Sequence, residues 1–487
     1  MAEATNVKVY TRFRPFNKRE IALGGDSTGF LNINKLDHSI KLTEPSACPG
    51  GVSFNVDHAF DIDSTQDQVY NVICAPTIGD LFGGFNATIF AYGQTGAGKS
   101  HTMMGSLEGD GSLAGIIPRA SEHIFNTIRS ELRGITFEVS VSYIEVYREV
   151  IRDLLDSSKQ NLRVRESPGR GVYVDGMTSE FVTSEDDVLQ VLAIGDESRA
   201  VAATNMNATS SRSHSILIVT VSQKNQEDGS SRQGQLNLVD LAGSEKIGKT
   251  GATGQTLEEA KKINQSLSAL SNVIKGLADG AGHVPYRDSK LTRILQSSLG
   301  GNTKTSLITA ASPHPDNAAE TLSTLRFGQR AKTIKTKVKA NEQRSAEELA
   351  KMLEKLQNEI AQLRGYNAAL EAKLTEAGIE LPSAGESASA AKSASAGVVD
   401  GAANARLTEE HDKLKESHRL MQEELTDLKS ENADATAEAR QAEAREAILK
   451  GHLSRFQALS KRAAGEMKHL RQELHERNQQ VTQSAPS

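Results

Sequence analysis

The chain has 487 residues, which leaves room for two to four domains of average size. Its formal net charge of −6 at pH 7 excludes the whole-chain basic character that favours nucleic acid as a partner. Its two cysteines, Cys48 and Cys74, form neither a disulfide framework nor a metal-ligand spacing. Early charges rule out a signal-peptide core, and no apolar run reaches the roughly 18 residues that span a bilayer. We expect a soluble cytoplasmic protein without membrane insertion.

The first 330 residues have the pattern of an α/β domain. Glycine turns separate short apolar runs, and longer helical patterns lie between several of these runs. Strands that alternate with helices predict a layered α/β fold in which helices flank a central sheet. The strand-like runs are, in chain order, VKVYTRF, TIFAYG, EVSVSYIEVY, SILIVTVS, GQLNLVDLAG and KTSLITAAS.

A glycine-rich turn, GQTGAGKS, joins the run TIFAYG to a helix-like stretch. It fits the pattern G-x-x-x-x-G-K-[ST], in which backbone N–H groups and a helix N-terminus bind phosphate. In that chemistry Lys99 would reach the β- and γ-phosphates, and the Ser100 hydroxyl would bind Mg²⁺. A chance match is the alternative, because the pattern is short. The candidate phosphate-binding residues are Gly93, Gln94, Thr95, Gly96, Ala97, Gly98, Lys99 and Ser100.

Two later segments carry further polar groups that a nucleoside triphosphatase needs. The run LNLVDLAGSE ends an apolar strand in Asp240, a position that suits a carboxylate near Mg²⁺. Gly243 follows where a backbone N–H group could contact the γ-phosphate. Residues 207–214, NATSSRSH, combine hydroxyls with one arginine and one histidine, although such a run is often only a polar surface turn. The order of the three segments makes coincidence a poor explanation.

Beyond Ala340 the composition changes to Glu, Lys, Ala and Leu, and a heptad repeat begins. We predict a coiled coil over 346–377 that forms a homodimer, with Asn367 at a position where a lone Asn sets the register. The alternative is one amphipathic helix packed on a globular core. The predicted seam consists of Leu349, Leu353, Leu356, Ile360, Leu363, Asn367, Leu370, Leu374 and Ala377.

A low-complexity Ala/Ser/Gly linker over 378–405 leads to a second predicted coiled coil over 406–476 and a disordered tail over 477–487. Polar and small residues fall on the middle of the second seam, which favours a dynamic coil that needs a partner. The seam histidines His411 and His418 are either tolerated polar positions or a pH switch. We expect this C-terminal coil to bind cargo, but no motif identifies the cargo.

The chain resembles the kinesins, a superfamily of microtubule motors, over residues 7–345. The motifs occur in family order at family spacing, and the pattern is most similar to conventional transport-type kinesins with an N-terminal motor. The matching segments are RFRP (12–15), FAYGQTGAGKSHTM (90–103), SYIEVYREVIRDLL (142–155), NATSSRSH (207–214), LVDLAGSE (238–245) and HVPYRDSKLTRILQSSLGGN (283–302). The resemblance implies a motor domain over 1–330 with the fold of a P-loop NTPase, which binds ATP with Mg²⁺ and hydrolyses ATP when stimulated by microtubules.

The resemblance also assigns roles to individual residues. Those that would bind adenine are Arg12, Pro15 and His101. The matches to switch I are Asn207, Ser210, Ser211, Arg212 and His214, and the matches to switch II are Gly243 and Glu245. The implied Mg²⁺ ligands or near neighbours are Ser100, Ser211 and Asp240. The resemblance implies that Arg212 and Glu245 form a salt bridge that closes the site around ATP. The proton of the attacking water would then leave through Glu245. Catalysis would come mainly from positioning of the reacting groups and from electrostatic stabilisation.

One motif favours another nucleotide. NKLD, at 34–37, has the form of the guanine-reading motif of GTPases. It precedes the phosphate loop here, whereas in GTPases it follows the switches, and its polar neighbours predict a surface hairpin. We therefore expect ATP rather than GTP.

A basic cluster follows switch II and, by resemblance, lies on the loop and helix that meet acidic tubulin. Complementary charge would speed encounter and make binding salt-sensitive. A solvated basic face is the alternative for any one residue, and nucleic acid is disfavoured because no aromatic stacking platform accompanies the charges. The cluster contains Lys246, Lys249, Lys261, Lys262, Lys275, Arg287, Lys290 and Arg293.

Residues 331–341, AKTIKTKVKAN, alternate polar and β-branched side chains, and the segment 331–345 resembles the kinesin neck linker. The resemblance implies that Ile334 docks on the motor domain and that Asn341 is a latch hydrogen-bonded to it. Motor, linker and dimerising coil in this order imply plus-end-directed movement along microtubules. Two other functions stay open: a microtubule-anchoring or crosslinking protein with slow ATPase, and a structural coiled-coil protein whose head only senses nucleotide.

Overall fold

The structure is a computed structural model that describes residues 3–24, 29–44, 48–131, 134–167, 171–206, 210–227, 229–245 and 255–343, with a few single residues between 358 and 372. The chain divides into two compact units, Met1–Gln343 and Arg344–Ser487. The fold below belongs to the first unit. The predicted heptad seams, the linker 378–405, the second coil and the tail lie outside the described residues. None of the described helices is long and apolar enough to cross a membrane.

The described strands form one large sheet and three small ones. They are β1 (Glu3–Asn6), β2 (Lys8–Phe13), β3 (Leu31–Ile33), β4 (Ser39–Glu44), β5 (Cys48–Asn55), β6 (His58–Phe60), β7 (Ala87–Tyr92), β8 (Ile135–Tyr147), β9 (Val150–Asp153), β10 (Arg163–Ser167), β11 (Gly171–Asp175), β12 (Glu180–Val182), β13 (His214–Asn225), β14 (Ser231–Asp240), β15 (Lys304–Ala311), β16 (Lys335–Val338) and β17 (Glu342–Gln343). Each of the six strand-like runs named above contributes a strand, so these strand predictions are confirmed.

The described α-helices connect the strands. They are α1 (Lys18–Ala22), α2 (Gln66–Ile73), α3 (Ala75–Phe82), α4 (Lys99–Met103), α5 (Ile116–Ser130), α6 (Glu185–Met206), α7 (Gln255–Ala278), α8 (Lys290–Ile294), α9 (Gln296–Gly300) and α10 (Ala318–Ala331). The helix expected after the glycine-rich turn is α4.

The large sheet has the order β12-β8-β13-β14-β7-β15-β2-β6, with β9 beside β8 and β17 beside the start of β14. Its half from β14 to β6 is parallel, and its half from β12 to β14 is antiparallel. All six residues of β7 are buried, as expected for a central strand covered on both faces. The central β-sheet of an α/β fold is thus confirmed.

Alternating side chains of the sheet pack into two apolar cores, one on each face of the sheet. In β13, Ile216 and Ile218 join the core that contains residues of α7, α8 and α10, whereas Leu217 and Val219 join the core of α2, α3, α5 and α6. This alternation follows from the two-residue period of a strand, which directs neighbouring side chains to opposite faces. Helices therefore cover both faces, as the sequence pattern predicts.

The carboxyl ends of the adjacent parallel strands β7 and β14 meet at one edge of the sheet. In open α/β sheets, ligands bind in the crevice beyond these strand ends. The glycine-rich turn follows β7 directly, and Asp240 is the last residue of β14. The topology thus brings together two of the three segments that sequence analysis singled out.

NKLD forms the turn of a hairpin between the antiparallel strands β3 and β4. Leu36 at its tip is 94% exposed, so the prediction of a surface hairpin is confirmed.

The segment after α10 lies against the domain as a strand. β16 pairs antiparallel with β1, and Ile334 is 1% exposed. Asn341 is held at several points: its N–H donates to Gly84 O at 2.8 Å and its Nδ2 donates to Asn86 Oδ1 at 2.8 Å. Its carbonyl also accepts from Gln233 N at 3.0 Å. Ile334 is therefore buried and Asn341 hydrogen-bonded to the domain, as the family resemblance implies.

Candidate nucleotide site

The glycine-rich turn takes the conformation that its glycines allow. Gly98 precedes α4 with φ of 97°, in the left-handed region that side chains disfavour. At Gly93 a Cβ atom would lie 2.1 Å from Ala310 O, so only glycine fits between β7 and β15. Residues 93–98 therefore form a tight loop that ends at the N-terminus of α4.

Lys99 points back into this loop. Its Nζ donates to Gly93 O at 2.9 Å and to Gln94 O at 3.0 Å, and the residue is 7% exposed. Burial lowers the pKa of Lys99, while the nearby carboxylates of Asp240 and Glu245 act in the opposite direction. A desolvated ammonium group thus lies at the bottom of the loop, where it can bind a phosphate anion strongly.

Ser100 and Asp240 bring together the oxygen atoms suited to a hard cation. Ser100 Oγ donates to Asp240 Oδ2 at 2.5 Å, and Asp240 Oδ1 is buried with no hydrogen-bond partner among the described residues. Burial raises the pKa of Asp240, which marks a carboxylate short of positive charge. Hydroxyl and carboxylate oxygens are ligands that Mg²⁺ prefers, so these residues fit the ion. The described residues contain no cluster of three or more His, Cys, Asp or Glu side chains that could hold a metal by themselves.

The segment after β14 lies directly on the phosphate loop. Glu245 accepts from Thr95 N at 2.8 Å and from Thr95 Oγ1 at 2.5 Å. Ser244 N donates to Gly93 O at 3.1 Å, and Gly243 N donates to Ser211 O at 2.9 Å. The two candidate switches thus meet each other through backbone atoms, and one of them binds the loop through a carboxylate.

The remaining candidate switch residues are described only in part. Ser210, Ser211 and Arg212 form a 3₁₀ turn before β13, and Ser211 and Arg212 are half-buried. Asn207 and the side chain of Ser210 lie outside the described residues. The salt bridge between Arg212 and Glu245 stays a prediction.

Arg12, proposed to bind adenine, is 8% exposed and held from two sides. Its Nη1 donates to Gln66 Oε1 at 2.6 Å and to Thr102 Oγ1 at 3.0 Å, and burial lowers its pKa to about 10. His101 is exposed, and partial burial of its ring together with the charge of Arg12 lowers its pKa. Pro15 is exposed. Arg12 and His101 therefore lie close together, as a shared adenine site requires.

His214 is a buried residue whose side chain hydrogen-bonds the first candidate switch to the segment that contains the second. It is 2% exposed, its Nδ1 accepts from Ala242 N at 3.0 Å, and its Nε2 lies 2.8 Å from Ser266 Oγ on α7. Because Nδ1 accepts, the proton of the neutral ring is on Nε2, which donates to Ser266. Burial, with the charges of Arg199 and Lys99, lowers the pKa of His214 to about 3.

We predict that this buried imidazole makes the first unit less stable in acid. The folded pKa lies below the unfolded value of about 6.5, so the unfolded state binds the extra proton and stability falls as the pH drops below about 6.5. The contribution of His214 is a loss of about 2 kcal/mol at pH 5 relative to pH 7.5. Urea unfolding at both pH values measures it, and His214→Gln should show a smaller pH dependence than the parent. An identical pH dependence in both proteins would contradict the assignment.

Sequence reasoning missed a buried ion cluster behind the hydroxyl-rich segment. Glu145 is 4% exposed, and its carboxylate lies 3.3 Å from Arg199 Nε and 3.6 Å from Arg152 Nη1. Arg199 also donates from Nη2 to Ser213 Oγ at 2.9 Å. The cluster links α6 and β8 to the residue before His214, so it fixes one end of the candidate switch. The sequence signal was Glu145 itself, an acidic residue flanked by the apolar Ile144 and Val146 within a strand-like run.

The basic cluster is described unevenly. Lys275 and Arg287 are exposed. Lys290 donates to Asn161 Oδ1 at 3.0 Å, and Arg293 lies 2.5 Å from Glu166, so both are partly engaged within the domain. Lys246, Lys249 and the side chains of Lys261 and Lys262 lie outside the described residues.

The family follows from comparison with known proteins. The model of the kinesin motor domain matches residues 12–334. The chain belongs to the kinesin motor-domain family. This confirms the resemblance found in the sequence, and a motor domain of this family binds nucleotide.

Several kinesins are similar to this chain over most of its length. It is 51% identical over 379 residues to the kinesin heavy chain of Neurospora crassa, covering 77% of this chain and 40% of that protein. It is 48% identical to kinesin heavy chain isoform 5A of Homo sapiens, covering 77% and 36%. The chain thus spans less than half the length of these relatives. A solved structure described as a fast kinesin superposes with a TM-score of 0.65 at 54% identity, covering 69% of this chain and 94% of that one.

Proposed function

We propose that this kinesin is an ATP-driven motor that moves along microtubules toward their plus ends. The contact between Glu245 and Thr95 carries the proposal, because it joins a candidate switch to the loop that binds phosphate. A γ-phosphate bound at this loop changes the contacts available to that switch, and its loss after hydrolysis reverses the change.

We propose that the substrate of this motor is ATP in complex with Mg²⁺. Ser100, Ser211 and Asp240 would hold the ion, which supplies charge neutralisation on the phosphates when bound. Lys99 binds the β- and γ-phosphates, and Arg12, Pro15 and His101 bind adenine. Glu245 orients the attacking water and receives its proton, with Asn207, Ser210, Arg212 and Gly243 completing the arrangement around the γ-phosphate.

In this proposal, docking of residues 331–345 onto the motor domain produces the movement. Their support is the pairing of β16 with β1, the burial of Ile334 and the hydrogen bonds of Asn341. A two-stranded sheet is only marginally stable by itself, so this pairing can form and dissociate during a cycle. A segment that docks and releases with the nucleotide state moves whatever follows it.

Microtubules are the proposed partner, with residues 346–377 forming a homodimer and 406–476 binding cargo. Lys275 and Arg287, both exposed, support a basic surface that complements acidic tubulin. We therefore propose a cytoskeletal, cytoplasmic protein whose binding weakens as salt rises, since salt screens exposed charges.

The steady-state ATPase of the full chain, measured with and without taxol-stabilised microtubules, tests the proposal. We expect strong stimulation together with gliding of microtubules over a surface coated with the protein. Microtubule binding without stimulated turnover would favour the anchoring or crosslinking function instead. Turnover that ignores microtubules would favour a head that only senses nucleotide.

A further inference from the structure

A closed ring of hydrogen bonds begins and ends on the phosphate loop. Arg14 Nε donates to Gly96 O at 2.7 Å, and its two terminal nitrogens bind the carboxylate of Glu20 at 2.6 and 2.7 Å. Glu20 Oε1 accepts from Asn317 Nδ2 at 3.0 Å, and Asn317 Oδ1 accepts from Gln94 Nε2 at 3.0 Å. We call these five residues the Glu20 ring.

Glu20 is the charged centre of the ring and is 3% exposed. Burial by itself raises the pKa of this carboxyl, but hydrogen bonds from Arg14, Asn17 and Ser312 outweigh it and lower the pKa to about 2. A buried carboxylate is tolerated only when it is fully paired, and a bidentate arginine is the strongest such partner. The ring is therefore a fixed polar structure rather than a chance surface contact.

Asn317 occupies the N-cap position of α10 but does not cap the helix. An asparagine there ordinarily accepts a hydrogen bond from a backbone N–H group of the first turn. Here its side chain makes no such bond and is directed to Gln94, Glu20 and Ser312 instead. The usual stabilisation of the helix start is absent, and the side chain joins that helix to the phosphate loop.

A second contact joins α10 to the strand that leads into the loop. The ring of Phe327 on α10 stacks on Tyr92, the last residue of β7, with centroids 3.9 Å apart and planes 13° apart. Beyond α10 the chain continues through Ile334, whose N–H donates to Ala331 O at 3.1 Å, into β16. The helix is thus held to the phosphate loop at its start and to β7 near its end, immediately before the docked segment.

We propose that the Glu20 ring couples the phosphate loop to docking of residues 334–341, with Asn317 as the positioning residue that joins the loop to α10. The proposal rests on the proposed function only in taking docking of this segment as the output. When the loop shifts on binding nucleotide, α10 follows it, and the docking of β16 against β1 changes with the helix.

A spin label at an exposed site of β16 tests the coupling in the full chain. Lys337→Cys places the label opposite Ala4 of β1, and the native Cys48 and Cys74 are buried, so labelling is selective. The measured quantity is the docked fraction with ADP and with a non-hydrolysable ATP analogue, without microtubules. In Asn317→Ala the nucleotide-dependent change in the docked-to-undocked ratio should fall about fivefold or more. Affinity for a fluorescent ADP should stay within about threefold of the parent, since Asn317 is not among the residues proposed to bind the nucleotide.

Asp316→Ala is the matched control, because Asp316 is the exposed neighbour of Asn317 and its side chain approaches His314 rather than the ring, and this variant should behave as the parent does. Asn341→Ala should lower docking in both nucleotide states. Arg14→Lys breaks the ring at Gly96 and should reproduce the loss of coupling if Asn317→Ala does not fold. The proposal would be overturned if a folded ring variant, Asn317→Ala or Arg14→Lys, kept the parent's nucleotide-dependent change in docking. It would also be overturned if the change in docking fell only in proportion to a weaker affinity for nucleotide. If microtubules did not stimulate ATP turnover, the proposed motor function would be wrong, but the spin-label experiment could still be interpreted because it contains no microtubules.

Discussion

Glu245→Ala is expected to lower microtubule-stimulated ATP turnover by at least about 100-fold, because it removes the residue that we propose positions the attacking water and takes its proton. It also removes both hydrogen bonds to Thr95, so the switch loses its direct contact with the phosphate loop. Nucleotide binding should change little, because Lys99 and the backbone of the loop are untouched. Steady-state turnover and single-turnover hydrolysis, measured beside fluorescent nucleotide binding, separate the two effects.

Glu245→Gln is the matched control for this variant. An amide oxygen can still accept from Thr95, but an amide cannot take a proton from water. If proton transfer limits turnover, Gln and Ala are equally slow; if the contact with Thr95 dominates, Gln retains much of the activity. Turnover in Glu245→Ala above about a tenth of the parent's value would exclude an essential role for this carboxylate.

Lys99→Ala is expected to weaken nucleotide binding by at least about 100-fold, which corresponds to about 2.7 kcal/mol. The lysine ammonium is nearly buried, and a desolvated charge interacts with a phosphate far more strongly than an exposed one does. Its loss also leaves the carbonyls of Gly93 and Gln94 without this donor. Titration with a fluorescent ATP analogue measures the affinity, and turnover should fall at the same time.

Lys99→Arg separates charge from shape. It keeps the positive charge, but a planar guanidinium is too large for a site in which one nitrogen lies between two carbonyls of a tight loop. We expect binding to be nearly as weak as in Lys99→Ala, with the thermal unfolding temperature of both variants reported alongside. An affinity within about threefold of the parent in Lys99→Ala would show that this loop does not depend on its lysine.

The sequence predicted the sheet and the phosphate loop because both depend on local patterns. Apolar runs bounded by glycine mark buried strands, and the spacing of Gly93, Gly98 and Lys99 reflects backbone geometry within eight residues. Asp240 lies beside Ser100 because Asp240 is the last residue of β14, and Ser100 follows the loop after the neighbouring parallel strand β7. The hairpin at Leu36 followed from polar alternation alone.

The Glu20 ring could not be predicted in the same way. The sequence N-x-x-E at Asn17 and Glu20 is a capping box, and it does start α1, but it gives no sign that Glu20 also binds Asn317, 297 residues later. Gln66 is similar: it begins α2, yet its amide joins Arg12 to His101 O. Side chains with two or more polar atoms can satisfy a local pattern and a distant partner together, and only the fold identifies the distant one.

The pairing of β1 with β16 has a consequence for synthesis on the ribosome. Asn6 and its register partner Lys335 are about 330 residues apart along the chain. At about 5–20 residues per second, β1 leaves the ribosome roughly a quarter of a minute to a minute before its partner exists. During that time its backbone groups have no strand to pair with, and a neighbouring edge strand could capture them. A bulky N-terminal fusion would place its mass directly beside β1 and hinder the later pairing of this strand with β16.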